Sequence, residues 1–106
     1  MTSAAQPRST DEIRLDGRVA IVTGAARGLG RAMATALARA GASTILADID
    51  AAALADAVGA LAGQGDARGV PCDITDRAAC ERLVAETNAA GGPDNVTVIV
   101  ARFEAA

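Results

Sequence analysis

The chain of 106 residues contains no tyrosine, tryptophan, histidine or lysine, and its one aromatic side chain is Phe103. Without aromatics there is no platform on which unpaired bases could stack. The ten arginines are scattered singly among thirteen acids, for a net charge of −3, so no basic stripe exists for a phosphate backbone to select. Nucleic acid is not an expected partner. Long apolar runs are missing too. None approaches the roughly 18 residues of a membrane-spanning helix, and Met1 to Arg14 is polar and mixed in charge, without an apolar centre. The expectation is a cytoplasmic protein with no membrane partner, in which 1–14 is a disordered tail ahead of one domain over 15–106. Cysteine is scarce: Cys72 and Cys80 make no Cys-x-x-Cys pair and have no histidine partner. In a reducing compartment they read as small core residues, and no metal site is expected.

What the chain has in quantity is alanine, which makes up more than half of a hydrophobic content of 51%. Thin side chains bury little area per residue, so stability should be marginal without a ligand or partner. Periodicity divides the chain into strand 18–23, helix 29–40, strand 43–47, helix 51–62, strand 67–71, helix 76–89 and strand 95–102. The helical core stripes are read as Leu29, Ala32, Met33, Ala36, Leu37 and Ala40, then Leu54, Val58 and Leu61, then Cys80, Leu83, Val84 and Thr87. Strict β-α alternation with right-handed crossovers gives a parallel sheet in the order 3-2-1-4. That is an α/β, three-layer arrangement, half of a doubly wound Rossmann-like fold, with its crevice between strands 1 and 4.

The segment Val19-Ala20-Ile21-Val22-Thr23-Gly24-Ala25-Ala26-Arg27-Gly28-Leu29-Gly30 is an apolar, β-branched run that breaks into a turn with glycines at 24, 28 and 30. A strand delivers the chain to a tight turn, glycines let the backbone approach a diphosphate, and the next helix presents unpaired N–H groups and a positive dipole end. Such a turn is a phosphate cradle. Eighteen residues past Gly30, the second apolar run ends in Asp48. In a dinucleotide-binding βαβ unit, an acid there accepts hydrogen bonds from the adenosine ribose and repels a 2′-phosphate. Asp48 could equally cap the helix that begins near Ala51, although Asp50 is better placed for that.

With Leu15-Asp16-Gly17-Arg18 before it and Asp48 after it, Thr23-Gly24-x-x-x-Gly28-x-Gly30 resembles the N-terminal part of the short-chain dehydrogenase/reductase family, over about residues 15–84. Val70-Pro71-Cys72-Asp73-Ile74-Thr75-Asp76 looks like that family's third strand and the pair that follows it. The resemblance implies that Gly24, Arg27, Gly28, Leu29 and Gly30 line the diphosphate and adenosine ribose. It places Asp48 and Ile49 beside the ribose, Asp73 on the adenine amino group and Ile74 over the ring. On turn propensity alone, Asp73 is as well explained as a turn residue with its side chain in water. Arg27 stands where NADP-preferring relatives often carry a base, but Asp48 opposes a 2′-phosphate more directly, so NAD is favoured over NADP.

The chain then departs from the pattern. Where the family carries Asn-Asn-Ala-Gly after its fourth strand, the register gives Ala101-Arg102-Phe103-Glu104. The family's acid/base tyrosine and the lysine that lowers its pKa have no counterpart, and no catalytic residue is assigned. The expected function is a NAD-binding half-domain without catalytic machinery of its own; a chimera or truncated fragment with no activity is the alternative. The tail over about 78–104 has a second likeness, to the end of metal-dependent type 2C protein phosphatases, in which the aspartate matching Asp94 is a metal ligand. A hard divalent cation needs several oxygen ligands, and a turn rich in Gly, Pro, Asp and Asn needs no metal to explain it. In the order 3-2-1-4 the strand 95–102 lies at an edge, and its Val-Thr-Val-Ile-Val carries no charge or proline to protect it. A homodimer through that strand is the expectation.

The missing side chains make a negative prediction. Purified protein should neither reduce NAD with simple alcohols nor hydrolyse aryl phosphates in the presence of Mn²⁺. Steady turnover that survives repurification and is lost on Asp94→Ala would restore the phosphatase reading of the tail; loss on Gly28→Val would point to the glycine turn.

Overall fold

The computed structural model describes residues 14–91 and 96–100. It runs β1 (Val19–Thr23), α1 (Gly28–Arg39), β2 (Ser43–Asp48), α2 (Ala51–Ala60), β3 (Ala67–Pro71), α3 (Arg77–Gly91) and β4 (Val96–Val100). The strands form one parallel sheet in the order β3-β2-β1-β4, the order expected from the alternation. β1 is buried along its whole length, which is why it reads as a continuous apolar run. Its neighbours β2 and β4 register it with Ile21 opposite Ile45 on one side and Val98 on the other.

Side chains alternate across the sheet and build two cores. Val22 and Leu46 meet Ala34 and Ala38 of α1, and Leu54, Ala57 and Leu61 from α2 and its end. Val19, Ile21, Ile45 and Ala47 meet Cys72, Ala79 and Leu83 on the opposite face. Two helices therefore cover one face and α3 the other. Small residues let them sit close. A Cβ on Gly69 would press on Val58 and Leu54 of α2, and one on Gly65 would overlap the Ala38 carbonyl. α1 stops at Gly41, whose φ of +105° suits glycine; the Gly41 N–H donates to Ala38 and the Ala42 N–H to Leu37, closing the helix end.

Two of the expected stripes are rotated. α1 buries Gly30, Ala34 and Ala38, while Leu29 is 57% exposed and Ala32 and Ala36 face out. α3 buries Ala79, Leu83 and Thr87, leaving Cys80 half-buried and Val84 53% exposed. In both, a row at i, i+4 spacing faces the sheet: Gly30, Ala34 and Ala38 in α1, and Ala79, Leu83 and Thr87 in α3. Gly30 forces this in α1, because a side chain there would collide with the Gly24 carbonyl. At the start of the described chain, Arg14 bonds to Asp16 and to the Arg39 carbonyl, and the Leu15 N–H donates to Ala40. Residues 1–13 of the expected tail, and 95 and 101–102 of the expected last strand, lie outside the described residues.

The rotation of α3 is testable by paired truncation. Leu83→Ala should cost about 2–5 kcal/mol of unfolding free energy, and Val84→Ala should stay within about 0.5 kcal/mol. Urea titrations followed by circular dichroism read both, and the reverse ranking would turn α3 the other way.

Candidate functional site

Parallel strands bring their carboxyl ends to one edge of the sheet, and three turns gather there. The first links β1 to α1. Gly24 and Gly28 have φ of +66° and +64°, conformations that favour glycine. Between them Ala25 and Ala26 are buried; the Ala25 N–H donates to the Ala47 carbonyl at 3.1 Å and the Ala26 N–H to Asp48 Oδ2 at 3.0 Å. α1 begins after Arg27, whose backbone is extended and whose side chain makes no capping bond, and its first turn holds no acid. Among the described residues, neither a capping side chain nor an acid in the first turn answers the free N–H groups and positive dipole end of this helix. A Cβ on Gly28 would meet nothing within 4 Å, so the backbone is open to solvent at the helix mouth.

The second turn links β2 to α2 through Asp48, Ile49 and Asp50. Asp48 Oδ1 accepts the Asp50 N–H at 3.0 Å, and Asp48's own carbonyl accepts the Cys72 N–H at 3.0 Å. Asp50 is the cap of α2, accepting from Ala53 N–H at 3.0 Å. Its other oxygen takes the Arg27 guanidinium at 2.7 Å. The Ala53 N–H first, and Arg27 second, hold the Asp50 carboxyl below the usual carboxylate range.

The third turn follows β3. Asp73 Oδ1 accepts from both the N–H and the hydroxyl of Thr75, at 2.9 and 2.6 Å, and the Asp76 N–H donates to the Asp73 carbonyl. Leu29, Ile49 and Ile74 are 57, 69 and 38% exposed, one large apolar side chain beside each turn. All nine residues expected at a cofactor site thus lie at one edge of the sheet: Gly24 and Arg27 on the first turn with Gly28, Leu29 and Gly30 in the opening of α1, Asp48 at the end of β2 with Ile49 after it, and Asp73 and Ile74 on the third turn. Sequence reasoning missed Thr75, although Asp-x-Thr is the signature of a side-chain-locked turn. It also missed that Arg27 pairs with the helix cap. Asp94 and residues 101–104 lie outside the described residues. Among the described residues, no helix is long and apolar enough to cross a membrane, and no group of three or more Cys, Asp or Glu could hold a metal ion.

Comparison with known proteins gives a consistent picture. The family model described as short chain dehydrogenase matches residues 18–101, which takes in most of 78–104, and nothing supports the phosphatase likeness expected for that tail. The chain is 44% identical to hydroxyacyl-CoA dehydrogenase ChsB1 of Mycobacterium tuberculosis over an alignment covering 85% of this chain and 30% of that protein. It is 47% identical to a sorbitol dehydrogenase of Cereibacter sphaeroides, covering 70% and 28%. Among solved structures, a short-chain type dehydrogenase/reductase from Mycobacterium ulcerans superposes with a TM-score of 0.75 at 32% identity, over 82% of this chain and 33% of that one. The RhlG/NADP active-site complex of Pseudomonas aeruginosa gives 0.65 at 37%, over 74% and 31%. The chain thus spans about 30% of the length of the curated relatives it matches.

The Asp50 cap sets a pH dependence. Its folded pKa is depressed, so its stabilisation is present above the ordinary value of 3.8 and is lost as pH falls through the folded value. At pH 7, Asp50→Ala should lower the melting temperature by roughly 4–8 °C, as loss of a helix cap in a domain of this size does. Asp50→Ser, which keeps a capping oxygen but not the exposed ion pair, should lose less. In strong acid the Asp50→Ala difference should shrink; a constant difference would mean that the carboxylate is not what caps α2.

Proposed function

Because this chain belongs to the short chain dehydrogenase family, we propose that it binds the ADP portion of NAD at the carboxyl edge of its sheet. The observation that carries the reading is the contrast between two helix N-termini on that edge. α2 is closed by the Asp50 side chain, whereas α1 has no capping side chain, no acid in its first turn, and a glycine-rich approach. An anion is the partner that such an end accepts. The diphosphate lies over Gly24, Arg27, Gly28, Leu29 and Gly30 in this reading. The adenosine ribose meets Asp48 beside Ile49, and adenine meets Asp73 and Ile74. Each Asp48 carboxylate oxygen already accepts one backbone N–H and keeps a further lone pair for a ribose hydroxyl.

Members of the family use NAD(P), and the Pseudomonas aeruginosa neighbour is a complex with NADP. Here the charges favour NAD. A 2′-phosphate would approach the Asp48 carboxylate, and the nearby guanidinium of Arg27 is already engaged by Asp50 at 2.7 Å. That ion pair is exposed and screened by water, so Arg27 can be drawn away at small cost, and Asp48 carries the preference. The sequence supplies neither tyrosine nor lysine, so the reading assigns binding and no hydride-transfer step.

Calorimetric titration should find NAD and ADP-ribose binding, with NADP on the order of tenfold weaker, the scale of a partly screened like-charge contact. Asp48→Asn removes the charge while keeping one backbone acceptor, and should narrow that gap. Gly28→Ala should weaken all three ligands roughly tenfold or more by placing a methyl in the open mouth, with circular dichroism unchanged. NADP binding as tightly as NAD, with Asp48→Asn altering neither, would remove the ribose assignment.

A further inference from the structure

The sequence alone reads Cys72 and Cys80 as inert core residues, and the structure brings them together. Cys72 ends the third strand's run and is 6% exposed, packed against Ala79 and Leu83 of α3. Cys80, the next residue of that helix after Ala79, is only half-buried, and its side chain reaches back over the turn that leaves Cys72. Its own Sγ donates to the Ile74 carbonyl at 3.4 Å. Between the two cysteines the chain makes one compact turn. It is held by the Thr75 bonds to Asp73, by Asp76 N–H to the Asp73 carbonyl, and by Cys80 N–H to the Asp76 carbonyl. That turn carries Asp73 and Ile74. Its start is tied to Asp48 through the Cys72 N–H.

We propose that Cys72 and Cys80 form a dithiol that closes to an intramolecular disulfide and, in closing, remodels the Asp73–Asp76 turn. The oxidant is a low-molecular-weight disulfide. Cys80 is the reachable sulfur. As it loses its proton it attacks one sulfur of the small disulfide, forming a mixed disulfide and releasing a small thiolate that takes up the proton. Cys72 then gives up its proton and attacks the Cys80 sulfur, expelling the second small thiol. One disulfide is formed on the protein and one is reduced, with two protons carried to the two released thiols. Burial first, and the adjacent Cys80 second, push the Cys72 thiol above its ordinary value, which leaves the opening attack to Cys80. Closure consumes the Cys80 S–H, so the Ile74 carbonyl loses its donor, and it draws the start of α3 toward the end of β3. Weaker dinucleotide binding follows, and this last step alone rests on the function proposed above.

The test separates the two readings. After incubation with oxidised glutathione, the full chain should lose both titratable thiols and about 2 Da of intact mass as a monomer. Dithiothreitol should restore both. Hydrogen exchange at the amides of residues 75, 76 and 80 should quicken severalfold in the oxidised chain, a readout that needs no nucleotide. Cys80→Ser should abolish the mass change and hold exchange at the reduced rate under both conditions. Affinity for NAD should fall about tenfold on oxidation in the native chain and not at all in Cys80→Ser, which leaves the core residue Cys72 in place. A lasting glutathione adduct, a disulfide between chains, or a closed disulfide with unchanged exchange in the turn would each overturn the proposal. Closure and faster exchange without NAD binding in either state would leave the redox device standing and overturn the nucleotide reading instead.

Discussion

One residue holds the three strand-end turns in a common frame. Asp48 gives its side chain to the first turn through Ala26 and to its own turn through Asp50, and its carbonyl to the third through Cys72, each at 3.0 Å. An acid at the end of a parallel strand could have been left to water. Here its two oxygens answer two backbone donors that would otherwise be exposed at the top of a dry sheet, which is a cost of about 1–3 kcal/mol for each donor if buried without a partner. The carboxylate is thereby fixed in orientation before any ligand arrives. Charge and geometry come from the same contact, so a group that organises the edge is also the group that screens what approaches it.

The core beneath that edge is made of small parts, and this shapes what the edge can be. Ala25, Ala26, Ala34, Ala38 and Ala57 carry much of the contact on the α1 and α2 face. Such a layer gains little transfer energy per residue but brings backbones close, as Gly30 against the Gly24 carbonyl and Gly65 against the Ala38 carbonyl require. A side chain at either position would separate helix from turn, so the position of α1's N-terminus depends on an absence of side chains. The same closeness leaves the larger apolar residues Leu29 and Ile49 to stand at the rim instead of in the core.

The strand order and the three turns were legible because they follow from alternation and from glycine and acid spacing, signals that tertiary context seldom overrides. The rotation of α1 was not. In a helix where alanine occupies nearly every other position, hydrophobic periodicity loses its contrast: Ala32 and Ala36 score as core as readily as Ala34 and Ala38. Steric contact decided, and the contact partner of Gly30 lies six residues back in a turn whose path no periodicity encodes. In α3, Val84 outranks Ala79 in hydrophobicity, yet the row that the sheet takes is Ala79, Leu83 and Thr87 and Val84 is left outside it. The Asp50 cap was visible from its place before Ala51. Its second partner, Arg27, was not, because the pair is separated by 23 residues and exists only once β1 and β2 lie side by side.

The thiol contact was hidden for a related reason. Seven residues separate Cys72 from Cys80, too far for a Cys-x-x-Cys reading, and the intervening Asp-Ile-Thr-Asp gives no hint that the chain turns back. The turn does so because Asp73 is locked by Thr75 and the first turn of α3 is anchored on Asp76. These local bonds present Asp73 and Ile74 at the edge and, in doing so, bring Cys80 back over the turn that begins at Cys72. The turn and the dithiol proposed beneath it thus rest on the same few local bonds, which is why closing the one would be felt in the other.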